Sequence, residues 1–169
     1  SQTMPIRDVK PADASQMYPS DIPRPPDMTS EILDENYAIE ELDGRVWLLV
    51  NDVPGRLWPA VNSYLTDRGL GVSFDSPQLG LLQTELVNFS KRARQLVELP
   101  DSPSAGEQKV LLQVRMAPGV RRKTTEIQVQ RVNVDDQPEE LIPWRGTVDP
   151  SAEALAFQKR LLSDMGDFL

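Results

Sequence analysis

The chain has 169 residues and a formal net charge of −8, and it contains no cysteine and no histidine. Their absence excludes a disulfide framework, a thiolate nucleophile, a Cys/His zinc site and a Ser-His-Asp triad. A net-acidic chain repels phosphate backbones, which disfavours nucleic-acid binding. No apolar run reaches the roughly 18 residues that a membrane span needs, and the first residues lack the pattern of a signal peptide.

The first 44 residues differ in composition from the rest of the chain. They hold ten acidic side chains, three basic ones and six of the fifteen prolines, whereas residues 45–169 hold sixteen acidic and fifteen basic side chains. Because proline lacks an N–H and fixes φ, we expect residues 1–44 to be extended and unstructured, with no core of their own. Residues 45–169 are predicted to form one globular domain.

The first half of this domain is predicted to contain one strand, a helix and then two further strands. RVWLLV, residues 45–50, is a short apolar run that predicts a buried strand. A helix is expected over residues 56–69, where apolar side chains share one face and Pro59 is placed in the first turn. The apolar runs at 70–74 and 81–88 predict two further strands.

The second half begins with residues 89–108, whose polar, Pro, Ser and Gly content predicts a long mobile loop. Alternating apolar residues in 109–116 and 124–134 are typical of two half-buried strands joined as a hairpin. A closing helix is predicted over 149–169, with Asp149 as its N-cap. This order of elements predicts the α+β class, with helices packed on one face of an antiparallel sheet.

GRLWPAVNSYLTDRGLGV, residues 55–72, resembles the BamC (NlpB) family of lipoproteins in the outer-membrane β-barrel assembly machinery, whose members show a similar LWP motif at a helix start. Tyr37-Ala38-Ile39 resembles the end of the extended N-terminal region of that family. The resemblance implies a helix-grip fold, in which an antiparallel sheet packs against a long C-terminal helix. It also implies a non-catalytic role without a cofactor.

The same resemblance implies a partner and a location. In the family the extended N-terminal segment binds the neighbouring BamD-type lipoprotein, and a lipidated cysteine anchors the protein to the periplasmic side of the outer membrane. The family also has a second helix-grip domain. This chain has neither a cysteine nor a second predicted domain, and we expect both to lie outside this sequence.

The candidate contact residues form two groups. The first combines apolar anchors with prolines, which stiffen the segment and lower the entropy cost of binding. It consists of Tyr18, Ile22, Pro23, Pro25, Pro26, Met28, Tyr37 and Ile39. The second consists of a basic hairpin end and a tryptophan in a polar loop: Arg121, Arg122, Lys123 and Trp144. The basic residues are interpreted either as solvated loop charges or as a landing site for lipid phosphates or an acidic partner surface.

Three functions compete at this stage. The first is a non-catalytic scaffold subunit that binds a protein partner through residues 1–44. The second is a helix-grip domain that binds a small hydrophobic ligand or lipid. The third is an enzyme, but the sequence shows no catalytic motif, and acidic loop residues such as Asp135 and Asp136 lack the ligand spacing of a calcium loop. We expect no catalytic residue and no metal.

Overall fold

A computed structural model describes residues 36–146 and 150–169 of the chain. They form an α+β fold, as predicted, with a six-stranded antiparallel sheet and a C-terminal helix. The strands are β1 (Tyr37–Leu42), β2 (Arg45–Val50), β3 (Val72–Ser76), β4 (Leu81–Thr84), β5 (Lys109–Pro118) and β6 (Thr125–Val134). The helices are α1 (Pro54–Asp67), α2 (Lys91–Leu96) and α3 (Ala152–Phe168). The predicted extended segment, as far as residue 35, lies outside the described residues.

The strand order in the sheet is β1-β2-β6-β5-β4-β3, and each neighbouring pair is antiparallel. The predicted hairpin is the longest pairing, from Lys109 opposite Val134 to Pro118 opposite Thr125. Strands β1 and β3 form the two edges. Helices α1 and α3 share one core cluster with the sheet, so both cover the same face.

The apolar core lies between this face and the helices. Val110, Leu112, Val114 and Met116 alternate along β5 and are all buried, as their period-2 spacing predicts. Each fully buried aliphatic side chain stabilises the fold by about 1.5–3 kcal/mol relative to an exposed one. The helices contribute residues that are completely buried: Val61, Tyr64, Leu65, Leu161, Leu162 and Met165.

The sheet begins at Tyr37, which is earlier than the predicted start of the domain at Arg45. Strand β1 pairs with β2 along its whole length. Asp43 and Gly44 connect the two strands with φ angles of 53° and 76°, and positive φ angles of this kind are found in tight hairpin turns. Acidic residues in and beside β1 gave it the composition of the extended segment, and for that reason the sequence analysis missed the strand.

Helix α1 begins at Pro54, where a proline in the first turn leaves no hydrogen bond unmade. The main-chain oxygen of Val53 accepts hydrogen bonds from the N–H groups of Arg56 and Leu57 at 3.1 and 3.2 Å. The expectation that Pro59 lies in the first turn is therefore wrong, because the helix starts earlier. Pro59 lies inside the helix on its exposed side, where it removes one main-chain hydrogen bond.

Helix α3 is capped by Ser151, whose Oγ accepts a hydrogen bond from the Ala154 N–H at 3.0 Å. The predicted cap, Asp149, belongs to residues 147–149, which lie outside the described residues. The cap assignment is therefore corrected to Ser151, a residue type that is equally favourable at this position. The helix packs across β1, β2 and β6.

Residues 89–108 contain regular structure, including α2, where a long mobile loop was predicted. The strand predicted over 81–88 ends at Thr84, and a 3-10 turn at Val87–Phe89 leads into α2. The side chain of Ser90 caps α2. Helix α2 is only six residues long, so its apolar period is too short to stand out among the polar residues around it.

Candidate partner-contact surfaces

The candidate anchors of the N-terminal segment lie mostly outside the described residues: Tyr18, Ile22, Pro23, Pro25, Pro26 and Met28. Tyr37 and Ile39 lie on β1, where they are half-buried and pack against the core. A Cβ at Gly166 would lie 2.6 Å from the ring of Tyr37, whose hydroxyl donates a hydrogen bond to Asp167. These contacts of Tyr37 hold β1 to α3 within the domain.

The predicted basic cluster occupies the end of the β5–β6 hairpin, residues 120–123, which we call the hairpin tip. Val120 is 98% exposed, Arg122 and Lys123 are exposed, and Arg121 is partly buried. One guanidinium nitrogen of Arg121 is buried without a hydrogen-bond partner in the described part of the chain. The charges of the hairpin tip were predicted from the sequence, but Val120 was not, and its exposure makes the tip apolar as well as basic.

The turn between β3 and β4 lies at the same end of the sheet as the hairpin tip. Leu79 in this turn is 64% exposed. The Gly80 main-chain oxygen accepts a hydrogen bond from the Met116 N–H at 2.7 Å, and a Cβ at position 80 would lie 2.1 Å from the Met116 oxygen. This close approach fixes the turn against β5. The cleft between the two is lined by Pro54, Trp58, Pro77, Leu79, Arg115 and Pro118.

The sheet face opposite the helices is closed by polar contacts. Gln83, Gln113 and Gln130 are buried side by side on β4, β5 and β6. The Nε2 of Gln113 donates to Oε1 of Gln83 at 3.1 Å, and the Nε2 of Gln130 donates to Oε1 of Gln113 at 2.9 Å. This glutamine row was not predicted. The sequence does contain a sign of it, because Gln113 and Gln130 alternate with the apolar residues that were predicted to be buried and so lie on the opposite face of their strands.

The glutamine row binds the main chain of the segment after β6, residues 138–142, which we call the strap. Gln113 Nε2 donates to the Ile142 oxygen at 2.7 Å, and the Ile142 N–H donates to Oε1 of Gln83 at 2.8 Å. Gln83 Nε2 also donates to the Glu140 oxygen at 3.3 Å. The strap thus covers the second face of the sheet through its backbone.

Trp144, the other predicted contact residue, follows the strap. It is half-buried and lines a small cavity with Arg45 and Gln128. Arg45 is the first residue of β2. The hairpin tip lies near the other end of β2, where Val50 pairs with Thr125 at the start of β6. The structure therefore does not bring Trp144 together with the three basic residues with which it was grouped.

The region predicted as a loop, residues 89–108, begins with three basic residues, Lys91, Arg92 and Arg94, and of these only Arg94 is buried. Arg94 is 3% exposed, and its two terminal nitrogens donate to the two carboxylate oxygens of Glu107, each at 2.7 Å. The Arg94 guanidinium and the amide of Asn88 hold the pKa of Glu107 down to about 2. This pair ties α2 to the residues just before β5, whereas Lys91 and Arg92 are exposed.

A cluster of titratable side chains joins α1 to α3. Tyr64 donates its hydroxyl to Asp164 at 2.7 Å, and Arg68 donates to both oxygens of the same carboxylate at 2.8 and 3.2 Å. Burial and the hydrogen bond to Asp164 raise the pKa of Tyr64, and the hydrogen bond from Arg68 lowers the pKa of Asp164. A phenol with a raised pKa stays protonated at neutral pH, so this cluster acts as a clamp between the helices.

No protein-family model matches the chain, and a search of curated proteins finds no significant match. Within residues 36–146 and 150–169, no group of three or more metal-ligating side chains is placed to hold a metal ion. No helix in the same residues combines the length and apolar character needed to cross a membrane. The exposed hairpin tip and the cleft beside it have the form of a contact surface.

Proposed function

We propose that the chain is a non-catalytic accessory subunit of the outer-membrane β-barrel assembly machinery, with the segment before β1, as far as residue 35, binding the BamD-type lipoprotein. The observation that carries the proposal is the resemblance of residues 55–72 and of Tyr37-Ala38-Ile39 to the BamC family. In this proposal the domain is a helix-grip, and a lipid anchor holds the parent protein on the periplasmic side of the outer membrane.

The packing of α3 on the sheet supports the helix-grip part of the proposal. Leu161 and Met165 on α3 are 0% exposed against a sheet that is antiparallel throughout. The LWP motif, Leu57–Pro59, falls in the first half of α1, a few residues after the helix begins at Pro54. The composition of residues 1–35, with seven acidic and three basic side chains, supports an extended partner-binding segment.

The alternative function, binding of a hydrophobic ligand between sheet and helix, has less support. Leu48 and Ile127 on the sheet are 0% exposed, as are Leu161 and Leu162 on α3. These side chains occupy the space in which such a ligand would lie. A ligand would therefore have to displace packed core residues, which costs stability.

The test is a binding assay between the full chain and an immobilised BamD-type lipoprotein. Replacing Tyr18, Ile22 and Met28 with serine keeps every charge and should weaken binding by raising the off-rate. Tyr37 is left unchanged because its contacts with α3 would confuse affinity with stability. Phe89→Ser serves as the control, because it removes an exposed apolar side chain from the globular domain.

Two results would contradict the proposal. If the full chain showed no binding to the BamD-type lipoprotein, the proposed function would fail. If the triple serine variant bound as tightly as the parent chain, the anchors would be irrelevant and the acidic charges would remain as the basis of attachment. In that case raising the salt concentration should abolish binding, since exposed charges are screened over about 10 Å at 0.1 M salt.

A further inference from the structure

We propose that the end of the sheet formed by the hairpin tip and the β3–β4 turn docks on an anionic lipid bilayer. Val120 and Leu79 enter the interfacial region, and Arg122 and Lys123 contact lipid phosphates. The proposal stands on the geometry of the described residues and is independent of the proposed binding to a BamD-type lipoprotein.

The first support is the combination of exposed aliphatic and basic side chains at one end of the sheet. Val120 is 98% exposed and Leu79 is 64% exposed, although burying either would be favourable. Arg122 and Lys123 are exposed and follow Val120 directly in sequence. Peripheral membrane proteins combine the same two contributions, apolar insertion and attraction to anionic headgroups.

The second support is the hydrogen bonding that closes the hairpin tip. The Gly119 N–H donates to the Thr124 main-chain oxygen at 2.8 Å. The Thr124 hydroxyl donates to the Arg121 main-chain oxygen at 2.6 Å, and Lys123 has a φ of 59°. Because the loop is already folded, it loses little conformational freedom when it enters an interface.

The shape of the surface favours a bilayer over an acidic protein. A stable protein interface buries about 800 Å² on each partner and relies on aromatic and arginine anchors near its centre. The hairpin tip instead projects a single aliphatic side chain, Val120, from four loop residues. A fluid interface can surround a small projecting group of this kind without a matching cavity.

Acidic groups near the tip work against this orientation, and the basic side chains of the tip must outweigh them. Asp52 lies at this end of the sheet, where its main-chain oxygen accepts a hydrogen bond from Thr125. Its carboxylate pairs with Arg56 at 3.2 Å. The flanking strands also carry Asp75 and Glu126. Because the whole chain has a net charge of −8, any attraction to an anionic membrane must come from a local basic surface.

The test is sedimentation of the full chain with lipid vesicles. One set contains phosphatidylcholine alone, and the other contains about one third phosphatidylglycerol. The parent chain should bind the anionic vesicles, with binding weakened by salt, and should not bind the neutral ones. Arg122→Gln combined with Lys123→Gln should weaken binding about 25-fold, because each basic side chain near an anionic surface contributes roughly fivefold.

Matched variants near the other end of β5 provide the controls. Lys91→Gln combined with Arg92→Gln removes the same charge from exposed positions and should leave binding unchanged. Val120→Ser should weaken binding, whereas Phe89→Ser, at a side chain that is 78% exposed, should not. Thermal melting of each variant verifies that it is folded.

A direct readout of insertion comes from Val120→Trp, whose emission should shift to shorter wavelength when anionic vesicles are added. An unchanged spectrum, equal binding to both vesicle sets, equal losses in the control variants or no vesicle binding at all would each overturn the proposal. If the parent chain bound a polyglutamate surface but no vesicles, the partner of the hairpin tip would be an acidic protein surface, and the lipid proposal would be wrong.

Discussion

The ring of Tyr37 on β1 lies against Gly166 on α3 with no room between them for a side chain. A Cβ at position 166 would lie 2.6–2.8 Å from three ring carbons. The tyrosine hydroxyl donates a hydrogen bond to the next residue of the helix, Asp167. The pair therefore connects the first strand of the described domain to its last helix, and each of these terminal elements supports the other.

Gly166→Ala should destabilise the domain by about 1–3 kcal/mol, because the added methyl group overpacks the contact with Tyr37. Intrinsic propensity works in the opposite direction, since alanine is the better helix former by about 1 kcal/mol. Gly55→Ala is the matched control: it lies in α1, and its Cβ would meet no atom within 4 Å. Urea unfolding should show a loss for the first variant and no loss for the second.

A fragment of residues 36–169 should unfold cooperatively, whereas a fragment of residues 45–169 should be less stable. Removing β1 takes away the β2 pairing and the contact between Tyr37 and Gly166. It also exposes β2 as a new sheet edge that is open to aggregation. Thermal melting and light scattering of the two fragments check this expectation, and equal melting temperatures would show that β1 adds nothing to stability.

Leu161→Asp should destabilise the domain by several kcal/mol, because an unpaired carboxylate would be buried at a position that is 0% exposed. Ala156→Asp makes a similar change on the exposed side of the same helix. It should have an effect within about 0.5 kcal/mol. Circular dichroism melts of both variants provide the measurement. Nearly equal melts would mean that α3 does not pack on the sheet through Leu161.

Glu107→Gln should lower the urea midpoint at neutral pH, because it leaves the buried guanidinium of Arg94 without its carboxylate. The pKa of Glu107 is about 2 in the folded chain and 4.5 in its ordinary state. Between these values the unfolded chain binds a proton that the folded chain does not, so the parent loses this stabilisation as pH falls. The difference between parent and variant should therefore shrink over the same pH range.

Asp136→Asn is the control for that experiment. It removes a carboxylate that is 87% exposed and pairs with Lys109, and exposed ion pairs contribute about 0–1 kcal/mol. Its urea midpoint should stay near that of the parent at each pH. A difference between parent and Glu107→Gln that does not vary with pH would contradict the assigned role of the carboxylate.

Apolar spacing predicted the central hairpin and the stripe of α3, because burial on one face imposes periods of two and of 3.6 residues. Val129 and Leu161 are buried as those periods require. The same reasoning predicted the α+β class. It could not identify β1, since the acidic residues around Ile39 gave that strand the composition of the segment before it.

Contacts between residues far apart in the sequence explain the other differences between the predicted and the observed structure. Arg94 lies in a region that was predicted to be a mobile loop, yet it is buried because Glu107 lies opposite it in the fold. That pairing spans residues whose spacing carries no periodic signal. Val120 looked like an ordinary loop residue, because exposure at a hairpin tip depends on the register of β5 and β6. Contacts between residues that are distant in sequence determine both the burial of Arg94 and the exposure of Val120, and local sequence patterns do not reveal such contacts.

The strap is held through its backbone, and this gives its own side chains freedom to vary. Gln83 and Gln113 bind the main-chain groups of Glu140 and Ile142, which every residue type except proline would offer. Saturation mutagenesis should therefore find the strap tolerant and the two glutamines intolerant. The strap residues that form the outer surface over this face of the sheet can therefore change during evolution without altering the path of the chain across it.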